Sequence, residues 1–319
     1  MIKKLLPFIG KYKKYAILAP LSIVGEVILE IFIPYLMAKL IDIGIAAGDM
    51  NYVLTMGGLM IGMALLALVC GGLAGRFAAV AAMGFAKNIR YALFSKVQEF
   101  SFSNIDRFST ASLITRITTD VTNTQNTFMM MLRMLVRAPI MMLFATGIAV
   151  YINLRLSLIF FAAIPILAIA LILIMFKAFP LFQRMLKKYD RLNSVVQENL
   201  TAIRVVKAYV REEYESEGFQ EAADQLRSAQ KKAEKLVVFT MPLMMFVMYA
   251  CIISISWFGG NMIIKGSMQT GEFISFLSYV TQILMSLMMF AIVFVSLVIS
   301  KASVSRIIEI LDEEVEIID

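Results

Sequence analysis

Six stretches of this chain are each long and apolar enough to cross a bilayer, and they account for more than half of its residues. They fall at about 16–41, 53–82, 128–152, 156–179, 237–264 and 272–300. A hydrocarbon core takes roughly 20 apolar residues as a helix. Inside it every backbone N–H and C=O must be bonded within the protein. Repeated spans of this length therefore predict an all-α membrane protein with six transmembrane helices. The chain is 60% hydrophobic and 17% charged. A soluble domain is nearer half apolar and a quarter charged, so a soluble fold is excluded. The basic N-terminus suits a cleaved leader, but the apolar run behind it carries Glu26 and Glu30 and continues far beyond a signal core.

Lysine and arginine placement sets the orientation. Lys3, Lys4, Lys11, Lys13 and Lys14 precede the first span. Lys87, Arg90, Lys96, Arg107 and Arg116 lie between the second and third, and a dozen more, from Lys177 to Lys235, between the fourth and fifth. The connections at 42–52, 153–155 and 265–271 carry only Arg155 and Lys265. Both termini are therefore expected in the cytoplasm. The net charge of +7 belongs to these parts, and anionic lipid headgroups suffice to explain it without nucleic acid. Cys70 and Cys251 both fall inside spans and read as small core residues. The chain has no histidine, which removes the commonest general base and zinc ligand.

Residues 1–15 are basic and amphipathic and read as an interfacial lead-in helix. Pro20 and Pro34 are placed to kink the first span. Gly58 and Gly62, and Gly71 and Gly75, form G-x-x-x-G pairs, whose usual work is close helix packing. After Arg76 the helical pattern runs on through Ile89, Leu93 and Val97 without a break. The segment after the fourth span is also helical and amphipathic, with no Gly or Pro between Pro180 and Gly218. About 25 residues of helix reach some 35 Å beyond the membrane. The chain thus has two long cytoplasmic hairpins. Their turns are expected near Asn104–Thr110, where Ser109, Thr110 and Ser112 can cap the next helix, and near Arg211–Gly218. The end of the chain is a short helix with an acidic tail.

Charges inside the spans are costly and face a partner or a cavity. Glu26 and Glu30 lie one turn apart on the first span, and Arg133 and Arg137 one turn apart on the third. Counted from the outer ends, Glu26 and Arg137 lie at the same depth, about 20 Å, and are expected to pair, directly or through water, facing a central cavity. Methionines cluster at Met129, Met130, Met131, Met134, Met141 and Met142, at Met241, Met244, Met245 and Met248, and at Met285, Met288 and Met289. Flexible thioethers suit either core filling or a surface that re-packs around varied ligands. On the sixth span Gln282, Ser286, Met288 and Phe290 form the best candidate for such a wall.

Taken together, the six spans, two hairpins and their tip sequences resemble the transmembrane domain of ABC exporters. The first tip matches through Phe102, Phe108, Ala111-Ser112-Leu113-Ile114, Arg116 and Asp120. The second matches through Arg204-Val205-Val206-Lys207-Ala208-Tyr209, Arg211-Glu212 and Phe219. Ser303–Leu311 resembles the lead into a nucleotide-binding domain. The run from Met130 to Pro139 resembles the bacterial multidrug branch, often built as heterodimers. The resemblance implies a transmembrane domain over residues 1–311 and the start of a linker over 312–319. No G-x-x-x-x-G-K-[ST] phosphate loop occurs in the chain. The chain itself is therefore expected not to be an enzyme. It is either a truncated half-transporter or one whose ATPase is a separate polypeptide.

By that resemblance the chain is the pathway of an ATP-driven exporter of hydrophobic or amphipathic compounds in the bacterial cytoplasmic membrane. It would work by alternating access as a dimer with itself or a homologous half. ATP and magnesium would be bound by the nucleotide-binding domain. The substrate cavity would be lined by Glu26, Glu30, Arg133, Arg137, Gln282, Ser286, Met288 and Phe290, with the carboxylates drawing cationic compounds. Coupling would run through Asp106, Arg107, Phe108 and Ser109 at one tip and Arg211, Glu212, Glu213 and Tyr214 at the other. A lipid or peptide exporter, an importer of metal chelates, and a non-transporting receptor or scaffold share the architecture and stay open.

Overall fold

The computed structural model describes residues 2–314 and contains helices joined by short turns, with no strand among the described residues. We number the principal helices α1 (Lys13–Lys39), α2 (Met50–Gln98), α3 (Phe102–Phe108), α4 (Thr110–Ile152), α5 (Leu154–Thr201), α6 (Ile203–Ala208), α7 (Glu212–Ile264) and α8 (Thr270–Asp312). Six helical runs, including α1 and its flanking turns, are long and apolar enough to cross a membrane. At 49 residues, α2 is about 73 Å long. A hydrocarbon core needs about 30 Å, so some 40 Å of continuous helix is left over, as the uninterrupted periodicity after Arg76 implies. The chain divides into two compact units, one of Met1–Phe160 with Ser254–Asp319 and the other of Phe161–Ile253.

In the first unit α1 packs along α2 more extensively than any other pair. The contact is made by small residues on α2: Ala67, Ala74, Ala78, Ala81 and Ala82 are buried, while Ile23, Val27 and Ile31 of α1 fill the facing grooves. Without a hydrophobic force between helices in lipid, close backbone approach is what favours association. The opposite side of α2 exposes Leu54, Ile61, Leu65 and Leu68, an apolar face suited to acyl chains. The glycine pairs do not carry this packing. Nothing lies near Gly58, Gly62 or Gly75 within the chain, and only Gly71 is approached, by the Glu26 carboxylate. Alanine does the work expected of the glycine pairs, because its methyl fits the groove and it resists fraying.

Beyond the second span a different force operates. Leu5, Ile9, Phe85, Ile89, Leu93, Phe100, Phe108, Leu113, Val121, Val304, Ile307 and Ile310 form one buried cluster. Phe100 and Phe108 stack with ring centroids 5.8 Å apart. These residues lie outside the apolar spans, where burial from water stabilises by roughly 25 cal/mol per Å². Within this unit the extensions of α2, α4 and α8 are therefore joined by a common core and are not separate solvated rods. The lead-in segment belongs to that core. Leu5 and Ile9 are buried in it, and Asn88 Nδ2 donates to the Phe8 carbonyl at 2.7 Å, so its apolar face covers protein and not only lipid.

At the far end of this unit the Asp42 carboxylate accepts from the backbone N–H of Gly271 at 2.6 Å and of Glu272 at 3.0 Å. A side chain from the π-helical turn Leu40–Ile45, which follows α1, thus caps the start of α8, supplying the acceptors its first turn lacks. A Cβ at residue 271 would stand inside van der Waals contact of the Ala38 carbonyl oxygen and Asp42 Oδ2. Gly271→Ala is expected to destabilise by about 1–3 kcal/mol, the usual cost of overpacking, and Asp42→Ala by about 1 kcal/mol. Thermal unfolding of the purified chain in detergent measures both.

The second unit contains the second hairpin, and both hairpin tips differ from the turns expected. Residues 104–108 are helical: Ser101 caps α3 in a capping box with Asn104, and the break falls at Ser109. At the second tip the helix does not break over 212–218. It breaks at Ala202 and again at Tyr209–Arg211, leaving the short α6 between, and α7 then runs through Gly218. Three acidic residues in the first turn of α7, Glu212, Glu213 and Glu215, favour initiation there through the helix dipole, one residue after Arg211.

Candidate functional site

Two places bring the charges of the chain together. The first is inside the spans. Glu26 and Glu30 share one face of α1, since residues four apart stand one above the other. The alternate positions Ile23, Val27 and Ile31 turn into the packing. On α4, Ala138, Met141, Ala145 and Ala149 are buried, which brings Arg137 to the α1 side. Its guanidinium forks: Nη1 lies 2.5 Å from Glu26 Oε1 and Nη2 2.6 Å from Glu30 Oε2. Gly71 on α2 leaves the room the Glu26 carboxylate occupies. The three side chains keep only 16–31% of their exposure. Two carboxylates around one guanidinium carry a net charge of −1.

Arg133 does not join them. It is exposed and has no ion pair among the described residues. Arg133 sits inside the π-helical turn Met131–Leu135, and such a turn shifts the register that a four-residue spacing to Arg137 assumes. On α8, Ser286 is buried and donates to its own helix at the Ile283 carbonyl. It is therefore no part of an open wall, in contrast to the sequence reading. Met288 and Phe290 are half-buried. Gln282 buries its Oε1 without a hydrogen-bond partner. No hydrogen bond or ion pair joins these four to Glu26, Glu30 or Arg137 among the described residues.

The second place is the foot of α4 and the end of α8. Asp120, fully buried, receives Arg306 Nε at 2.7 Å and Nη2 at 2.5 Å. Arg116, one turn earlier, donates to Glu309 Oε2 at 2.8 Å and to the Arg306 carbonyl at 3.1 Å, and its guanidinium lies 4.9 Å from the Phe108 ring centroid. Arg107 pairs with Glu313 at 2.6 Å, Asn104 donates to Glu313 and to the Glu314 carbonyl, and Lys4 pairs with Asp312 at 2.6 Å. The hydrogen bonds that Arg306 donates to Asp120 raise its guanidinium above the ordinary value, although burial opposes this. A raised base contributes stability below its unfolded-state value and loses it only as pH rises through the folded one. The Arg306 charge therefore holds throughout the neutral range. This ladder ties the last described residues of the chain to α3 and α4. Residues 315–319 of the expected linker, and the Asp106 side chain, lie outside the described residues.

Phe108 is 5% exposed and belongs to the core, so it is unavailable as a docking side chain. Phe102, at 88%, is the exposed ring of this tip. In the second unit Lys207 pairs with Glu212 at 3.0 Å, the Arg211 guanidinium lies 5.1 Å from the Tyr214 centroid, and Asn199 donates to Glu215. That pairing with Lys207, after the Glu212 backbone N–H, holds the Glu212 carboxyl below its usual range. Val205, Tyr209, Val210 and Tyr214 are exposed. α6 escaped the sequence reading because its apolar residues continue the periodicity of α5.

Ser109 (φ 55°) and Val210 (φ 53°) are the non-glycine residues with positive φ among those described. A β-branched residue there is strained by about 1–2 kcal/mol. Each follows a helix of six or seven residues at a hairpin tip. Strain of this kind collects at functional positions. Val210→Asn is expected to raise stability by about 1 kcal/mol, since asparagine tolerates this conformation. The rise would be read from the denaturant midpoint.

Residues 16–303 match the family model described as the ABC transporter transmembrane region. The chain is 36% identical over 98% of its length to an uncharacterised ABC transporter ATP-binding protein of Bacillus subtilis, YfiB, covering 55% of that protein. It is 32% identical over 88% of its length to the uncharacterised ABC transporter ATP-binding protein Rv1273c of Mycobacterium tuberculosis, covering 48% of it. An ATP-dependent lipid A-core flippase of Desulfotalea psychrophila is 30% identical over 60% of the chain and 34% of its own length. The chain spans about half the length of the curated relatives it matches over most of its own. Matched from its first span to the foot of its last helix, the chain belongs to the family of ABC transporter transmembrane regions.

Proposed function

We propose that this chain is the translocation domain of an ATP-driven exporter of hydrophobic or amphipathic compounds, with both termini in the cytoplasm of a bacterium. Two copies, or this chain and a homologous half, enclose the path. A nucleotide-binding domain takes ATP and magnesium and grips α3 and α6. The observation that carries this reading is the pair of tips, each a short helix of six or seven residues closed by a strained non-glycine residue. Exposed Phe102 at one and Tyr209 and Tyr214 at the other suit a groove on a partner domain. Arg107 shares α3 with Phe102, and Glu212 and Glu213 follow Tyr209 at the start of α7. Nucleotide-driven closure would move these knobs, and the long helices would carry the motion into the membrane.

Rejoined to a nucleotide-binding domain, the chain is expected to show substrate-stimulated ATPase. Replacing Phe102 or Tyr209 with Ala should leave basal hydrolysis intact and abolish the stimulation. Stimulation that survives both changes contradicts the reading. A second reading, export of lipid, is favoured by similarity to a protein named as a lipid A-core flippase. The net −1 of the Glu26–Arg137–Glu30 group points toward cationic amphiphiles. Glu26→Gln should therefore reduce transport of cations about tenfold more than of neutral compounds of equal size, and equal losses would remove the charge from the account.

A further inference from the structure

The second unit holds a groove of about 710 Å³ between the extensions of α5 and α7 that neither site uses. Arg184, Lys187, Lys188 and Lys232 line it, with Glu221 and Asp224 toward one end. Lys188 is engaged, donating to Gln225 Oε1 at 2.7 Å, and Gln225 donates in turn to Glu221 at 3.1 Å. Asp224 pairs with Arg227 at 3.3 Å. Arg184, Lys187 and Lys232 have no ion pair among the described residues. Both carboxylates are thus already engaged, and three cations face the groove unneutralised.

Their height along the helices is informative. The fourth span ends near residue 179 and the fifth begins near 237. At 1.5 Å per residue, Arg184 and Lys232 lie about 8 Å beyond the hydrocarbon and Lys187 about 12 Å. Glu221 and Asp224 lie about 20–24 Å beyond it. The headgroup layer is about 5–8 Å deep, and long basic side chains reach up toward it. Arg184 and Lys232 therefore stand at headgroup height, Lys187 about one turn below them, and the acids deeper still. Leu181 and Ala229 give the upper groove an apolar lining beside which an acyl chain can enter.

We propose that this groove binds the phosphate of an anionic phospholipid drawn from the adjacent leaflet. Arg184 and Lys232 grip the phosphate from the two helices and Lys187 supports them. A lipid held this way bridges α5 and α7 where the hairpin leaves the membrane, so its occupancy sets how freely the two arms part. This goes beyond the exporter reading, and it stands or falls without it.

The test is native mass spectrometry of the full chain released from detergent, titrated with phosphatidylglycerol and, separately, phosphatidylethanolamine. Phosphatidylglycerol should be retained preferentially. R184Q/K232Q should weaken its apparent affinity about thirtyfold, while K13Q/K14Q, which removes the same charge from the lead-in segment, should leave it unchanged. E221Q/D224N should strengthen retention, a gain that misfolding does not produce. Excess inorganic phosphate should not displace the lipid. Equal retention of the two lipids, an equal loss in the lead-in variant, a loss in E221Q/D224N, or full displacement by inorganic phosphate would each overturn the proposal, the last by showing a site for free anions.

Discussion

Arg137→Ala is expected to lower the stability of the chain by about 3–5 kcal/mol, the usual result of removing one partner from a buried ion group. The geometry explains the size. Arg137 serves two carboxylates with one fork, at 2.5 and 2.6 Å, and Arg133 is not placed to replace it. Losing the guanidinium leaves two like charges one helical turn apart, away from bulk water. Lysine has a single point of charge and no planar fork, so Arg137→Lys should recover only part of the loss. The triple change Glu26→Gln, Glu30→Gln and Arg137→Met should return most of the stability, because replacing every member of such a group by neutral side chains is often close to neutral. Unfolding of the four proteins in one detergent provides the comparison. A triple variant as unstable as Arg137→Ala would show that shape and not charge holds the helices at this depth.

The second large effect is expected at the other end of the bundle and is asymmetric. Asp120 keeps 1% of its side-chain exposure, whereas Arg306 keeps 46%. Arg306→Ala strands a buried carboxylate and should cost about 3–5 kcal/mol. Asp120→Asn leaves an arginine that water can reach, together with a neutral acceptor, and should cost about 1–2 kcal/mol. Hydrogen exchange should locate the loosening at the foot of α4 and the end of α8, not in the spans. Equal effects from the two changes, or exchange spread evenly through the chain, would contradict this account of the ladder. The ladder ties the end of α8 to the first tip, so that a force at either place acts on one body.

Much of this was legible before any coordinates, for identifiable reasons. Hydropathy reports burial in lipid directly, so six helices long and apolar enough to cross a membrane are legible in the sequence. Uninterrupted periodicity after Arg76 and Pro180 revealed the extensions, since ending a helix requires a residue that stops it. Charges in apolar runs are rare enough to mark Glu26, Glu30 and Arg137. Depth counting pairs Glu26 with Arg137, as found; that Arg133 stays outside the group is not legible, because a π-helical turn leaves no compositional trace. Ser109 was correctly read as a cap, but Asn104–Phe108 was taken for a turn because serine and asparagine serve both to cap helices and to form turns. The turn expected near Arg211–Gly218 does not extend to Gly218, because a glycine costs a long helix only about 1 kcal/mol, and α7 runs through it. Phe108 reads as an exposed anchor because the cluster it joins draws on several helices, among them residues 5–9 and 304–310, far away in sequence.

In the function we propose, both hairpin tips lie on the cytoplasmic side and are gripped by a nucleotide-binding domain. Single cysteines at Phe102 and Tyr209, in a chain with Cys70 and Cys251 replaced by Ala, test it through a membrane-impermeant maleimide on inside-out vesicles and right-side-out cells. We expect both positions to label only from the cytoplasmic side, and to become protected when a nucleotide-binding domain is joined to the chain and ATP is added. Labelling from outside the cell, or labelling at either tip that the added domain leaves unchanged, would contradict the account.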